Sequence, residues 1–80
     1  MIFVTLVSIV PEKNREAYEE MKRLKVPSGV QVKAIYGLFG RYDALLIHEA
    51  ANETAAMDFL LSVCKIAGVT DTETFIATSI

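Results

Sequence analysis

Residues Val30 to Ala50 read VQVKAIYGLFGRYDALLIHEA, and the punctuation inside this stretch decides the fold. Val30 to Phe39 begins in alternation, as Val30, Gln31, Val32 and Lys33, and then turns mostly apolar. Tyr42 to Ala50 resumes a strand pattern, with Tyr42, Ala44, Leu46 and His48 on one side and Asp43, Leu45, Ile47 and Glu49 on the other. Two such runs parted by Gly40-Arg41 spell a hairpin. Glycine at the first position of a two-residue loop suits a type II′ turn. The reading is therefore two antiparallel strands, β2 (residues 30–39) and β3 (residues 42–50).

Working outward from the hairpin, Pro27-Ser28-Gly29 turns the chain before β2 and closes a segment of different period. From Glu12 to Leu24, Ala17, Tyr18, Met21 and Leu24 form one stripe of a helix, α1, which Pro11 and Glu12 suit as a start. Glu19 and Arg23 stand at i, i+4 and predict a weak pair on its surface. Ile2 to Val10, IFVTLVSIV, is rich in β-branched residues and is stopped by Pro11, which predicts a strand, β1. Downstream, Asn52 is a candidate N-cap. Ala56, Phe59, Leu60, Val63 and Ala67 then mark a helical face (α2), and Gly68 ends it. Thr70 to Ile80 is Thr-rich and β-branched and predicts a last strand, β4.

The order βαββαβ is the ferredoxin-like split arrangement: an α+β fold with a four-stranded antiparallel sheet and two helices on one face. The other face is the informative one. In β1 the two sides read Phe3, Thr5, Val7, Ile9 and Ile2, Val4, Leu6, Ser8; neither is polar. A sheet apolar on both sides needs cover on both sides, and the helices supply only one. A chain of 80 residues, one cysteine and no internal disulfide also lacks the staples small domains commonly use. Both arguments predict that the chain pairs with itself.

Composition excludes other classes. A net charge of −2 does not suit a partner held by phosphate or lipid charge, so neither nucleic acid nor membrane is expected. No apolar stretch approaches the roughly 20 residues that span a bilayer. Residues 1–10 lack a basic region before them and a cleavage site after them, so a signal peptide is not read there. Residues 1–80 are expected to form one cytoplasmic domain without a helix-turn-helix. Neither a cofactor nor a metal site is expected. Cys64 stands alone, and Glu12, Glu16, Glu19 and Glu20 read as a solvated helix face rather than a ligand cluster. Lys33 to Phe39 faintly resembles an RNA-stacking signature, but it falls on β2 of an acidic protein.

Candidate functional residues concentrate in Gly40-Arg41-Tyr42-Asp43. On the structural reading Gly40 makes a turn, Tyr42 packs and Asp43 accepts hydrogen bonds from loop amides. On the functional reading the loop presents a carboxylate, a phenol and backbone amides at a cleft between subunits. Spacing leaves both open. His48, the only histidine, sits mid-strand among apolar neighbours and reads as a core or interface residue.

The segment from Tyr36 to Leu46, YGLFGRYDALL, resembles the G-x-Y-D hairpin of the effector-binding (RAM) domain of Lrp/AsnC transcriptional regulators. Gly68-Val69-Thr70-Asp71-Thr72-Glu73-Thr74 is similar to the ending of the same domain. The GYD family, named for its Gly-Tyr-Asp motif, shares the hairpin and is the close competitor. The resemblance implies a dimeric α+β barrel with two sheets face to face, assembled further into tetramers or octamers. It implies a small effector, usually an amino acid, bound near Gly40, Arg41, Tyr42 and Asp43, with Thr72 and Thr74 on the neighbouring strand. With no DNA-reading element in these residues, an effect on transcription would pass through a full-length Lrp/AsnC regulator. The alternative is a small α+β barrel enzyme of oxygenase or isomerase type using His48 or Tyr42.

Overall fold

The computed structural model describes residues 1–80. Its elements are β1 (Ile2–Ile9), α1 (Asn14–Arg23), β2 (Val30–Gly37), β3 (Ala44–Ala50), α2 (Glu53–Cys64) and β4 (Val69–Ala77). The strands form one sheet in the order β2-β3-β1-β4, with β1 antiparallel to both its neighbours and β2 antiparallel to β3. This is the ferredoxin-like α+β arrangement, with β1 and β3 at the centre.

Each helix is set by the residues that begin and end it. Asn52 caps α2, its Oδ1 accepting the Ala55 N–H at 2.8 Å, and Gly68 ends the following turn at φ +96°. A Cβ on Gly68 would lie 2.5 Å from that of Lys13, so only glycine fits there. The first turn of α1 is a tighter 3₁₀ turn, Pro11–Lys13, and the α-helix proper starts at Asn14 rather than Glu12. On the surface of α1, Glu19 pairs with Lys22 at 3.2 Å instead of with Arg23. No helix is long and apolar enough to cross a membrane.

The period of two in the strands sorts the sheet cleanly. Phe3, Val7, Ile9, Ala44 and Leu46 are buried beneath Ala17, Met21, Phe59 and Val63 of the helices. Thr5 and His48, also fully buried, share that face. Ile2, Val4, Leu6, Leu45 and Ile47 alternate with them and stay only half-buried, because no element covers their side.

The hairpin differs from its sequence reading. β2 ends at Gly37 and β3 begins at Ala44, so the connection spans residues 38–43 rather than Gly40-Arg41 alone. The cause is Asp43. Its N–H donates to the Val7 carbonyl at 2.8 Å and its carbonyl accepts the Leu38 N–H at 3.0 Å, which widens the loop and draws Asp43 against β1. Gly40, at φ +144°, takes the strained position at the tip.

Candidate functional site

Asp43 is the mechanical centre of the loop. Its Oδ2 accepts the Ile9 N–H at 2.7 Å, and its carbonyl also accepts the Tyr18 hydroxyl at 2.7 Å. Four hydrogen bonds thus converge on one residue from β1, α1 and the loop itself. Beside it runs an open groove of about 360 Å³ between the loop and α1, lined in part by Asn14, Tyr18, Leu38, Phe39 and Asp43. Phe39 stands in solvent at its rim.

Tyr42 reaches the other way. Its hydroxyl donates to Glu73 Oε1 at 2.7 Å, and the Arg41 guanidinium lies 5.7 Å from the centre of its ring. Leu6 lies between β3 and β4 and pairs with Glu73, on the uncovered side of the sheet. The hydrogen bond to the Glu73 carboxylate, aided by desolvation and that negative charge, raises the phenol above its ordinary 10.0. Arg41 opposes the shift.

Thr72 and Thr74 sit on β4 but face the helical layer. Thr74 Oγ1 lies 2.9 Å from Thr5 Oγ1, and Thr72 Oγ1 lies 3.5 Å from Cys64 Sγ. The six residues singled out in the sequence therefore divide. Gly40, Arg41, Tyr42 and Asp43 share one loop, while Thr72 and Thr74 point to the opposite face from Glu73. Glu73 itself was missed by the sequence reading. The alternation Thr72-Glu73-Thr74 could have placed it on the uncovered face, but its pairing with Tyr42 depends on strand register.

The sequence pattern of the GYD domain matches residues 5–80. The chain belongs to the GYD domain family. No curated protein matches it by sequence. In fold, this GYD domain is similar to FFRP-DM1, with a TM-score of 0.79 and 23% identity across 96% of this chain and 97% of that one. It is similar to AsnC of E. coli, with a TM-score of 0.81 and 16% identity over 99% of this chain and 51% of that one. It is also similar to the transcriptional regulator NMB0573 of Neisseria meningitidis, determined as an L-Met complex, at TM-score 0.76 and 22% identity over 98% of this chain and 49% of that one. The GYD domain thus spans about half the length of the two regulators.

Chemically, the loop supplies one cation, Arg41, and the carboxylate of Asp43, and Tyr42 joins it to the Glu73 carboxylate of β4, one strand beyond β1. His48 is fully buried, and burial lowers its pKa from the ordinary 6.5.

Proposed function

We propose that the chain is a non-catalytic module that binds a small molecule, an amino acid by class, and assembles with copies of itself through the uncovered sheet face. The observation that carries this reading is the polar cluster Arg41, Tyr42 and Glu73 at the border of a sheet face whose centre, Val4, Leu6, Leu45 and Ile47, is apolar. Tyr36 and Phe75 extend that face, 55% and 48% exposed, too large an apolar area to leave to water. A second copy laid on it would bury Ile2, Val4, Leu6, Leu45 and Ile47 and bring each loop beside its partner's sheet.

An amino acid needs an acceptor for its ammonium and donors for its carboxylate. Glu73 and Asp43 supply acceptors. The Arg41 guanidinium and the Gly40 and Arg41 amides supply donors, while Thr72 and Thr74, on the opposite face from Glu73, take no direct part. The similar fold of a regulator determined with L-Met favours this ligand class. An effect on transcription would run through co-assembly with a full-length Lrp/AsnC regulator. The single unpaired cysteine fits a cytoplasmic setting.

Two measurements on one sample test the reading. Sedimentation at micromolar concentration is expected to give a dimer or larger, and a stable 8.8 kDa species would remove the assembly. A thermal-shift panel of amino acids is expected to contain at least one that stabilises the protein. A ligand at 100 times its Kd contributes about 2.7 kcal/mol. A flat panel would overturn the ligand class, and turnover of any member would replace the module with an enzyme.

A further inference from the structure

His48 is fully buried, and neither of its ring nitrogens has a hydrogen-bond partner. Such groups are rare in folded proteins, and an apolar side chain of the same size would avoid the loss. The imidazole is packed between two phenyl rings. Phe3 stacks on it with centroids 5.4 Å apart and planes 14° apart, and Phe59 of α2 covers it at 4.7 Å, tilted by 55°.

No charge faces the ring. From β1 it meets its register partner Phe3, from β2 its register partner Val32, and from α2 Phe59. Thr5 is already engaged with Thr74. Glu49 lies on the other face of β3 and pairs with Lys33 at 3.7 Å. Glu53 and Asp58 of α2 are exposed. Burial is accordingly the sole influence lowering the imidazole from 6.5.

A proton on this ring would place a full charge and two unpartnered N–H donors in an apolar seat. The two phenyl faces would offset a small part of the lost hydration, not most of it. The ring can reach water by two routes. Phe3 is held by the β1–β3 and β1–β4 ladders, whereas Phe59 is held only by the seating of α2. Beside it a groove of about 130 Å³ opens between α2 and β4, lined by Phe3, Ala56, Leu60 and Ile76 among others, with Glu53 the one carboxylate along it.

We propose that His48 makes the seat of α2 acid-sensitive: once protonated, it drives α2 (Glu53–Cys64) off the sheet while the strands stay paired. The device is independent of whether the uncovered face takes a partner. A folded-state pKa below that of the unfolded chain means that stability is full above pH 6.5. It is lost as pH falls from 6.5 toward the lowered folded value.

Amide hydrogen exchange followed by NMR at about pH 7 and pH 5.5, with the imidazole carbon shifts titrated in the same sample, tests this. One proton taken up on opening corresponds to about a tenfold rise in the opening constant per pH unit. The expected result is that rise for α2 amides, a smaller change for β1 and β3, and an imidazole midpoint below 6.5. In His48→Leu the α2 response to pH is expected to flatten. An imidazole titrating at 6.5 or above, unchanged α2 protection, or strands and α2 losing protection in step would each overturn the proposal. The wild-type titration decides even where the variant does not fold.

Discussion

The covered and uncovered faces of the sheet are built from the same strands, one residue out of phase, and the two polar side chains among the central positions of β1 and β3 both lie on the covered side. Beneath the helices lie Thr5 and His48, both at 0% exposure. On the uncovered side the adjacent positions are Val4, Leu6, Leu45 and Ile47, all apolar and all still partly in water. A sheet covered by helices on one side alone would be expected to carry polar side chains at these uncovered positions. The difference teaches that exposure follows the cover one chain provides: rows of apolar side chains one residue apart are buried beneath the helices and half in water on the other side. It also locates the chain's own core on one side of the sheet.

The largest expected effect tests that placement of the core. Phe59 is 1% exposed, bridges α2 to the sheet and touches the His48 ring. Phe59→Ala is expected to cost about 3–5 kcal/mol of folding stability, the range for a large aromatic removed from a core. Leu45→Ala, on the uncovered face, is expected to cost about 1 kcal/mol in the dissociated chain, since a half-buried leucine gains less than a buried one. Urea denaturation at high dilution measures both. Equal losses would erase the distinction between the faces.

A smaller effect sharpens it at the rim, where the loop joins the two. Asp43→Ala removes the acceptor for the Ile9 N–H in a strand buried on that side, and roughly 1.5–3 kcal/mol is expected to be lost, the range for a hydrogen bond to a charged group. Asp43→Asn keeps an oxygen in place and is expected to lose less than half of that. If the two variants unfold at the same denaturant concentration, the carboxylate charge and not the acceptor geometry holds the loop. If Asp43→Asn also abolishes binding of an amino acid that the wild type binds, the residue serves both the loop and the ligand.

Much of this was legible in the chain. Element order and sheet class followed from period and punctuation, because Pro11, Asn52 and Gly68 act on their immediate neighbours. The apolar character of both faces could be read from β1 alone. The hairpin was misread because Asp43 takes its partners from Ile9 and Val7, more than 30 residues away, and a local turn rule cannot see them. Glu73 escaped for the same reason: Tyr42 finds it only through the β1–β4 register that sets Glu73 beside Leu6. The burial of His48 was visible in its apolar neighbours. Its lack of any hydrogen-bond partner was not, since that depends on Phe3 and Phe59 arriving from two other elements.

The smallest expected effect lies on the uncovered face, at the Tyr42–Glu73 hydrogen bond. A phenol that donates to a carboxylate resists ionisation, because losing its proton breaks the bond and sets two negative charges together. Its pKa is raised above 10.0 in the folded chain, so the contribution to stability is fully present below pH 10 and is lost as pH rises through the raised value. The pair is solvent-exposed, and global stability is expected to change little in Glu73→Gln. The titration itself is the sensitive readout. Tyr42 is expected to ionise above 10 in the wild type and to move back toward 10 in Glu73→Gln, followed by ultraviolet absorbance with Tyr42→Phe to assign the transition. An unchanged midpoint in Glu73→Gln would mean that the carboxylate does not hold the phenol in solution. The polar cluster on this face would then lose the arrangement on which the ligand reading rests, while the covered face and its core would stand as they are.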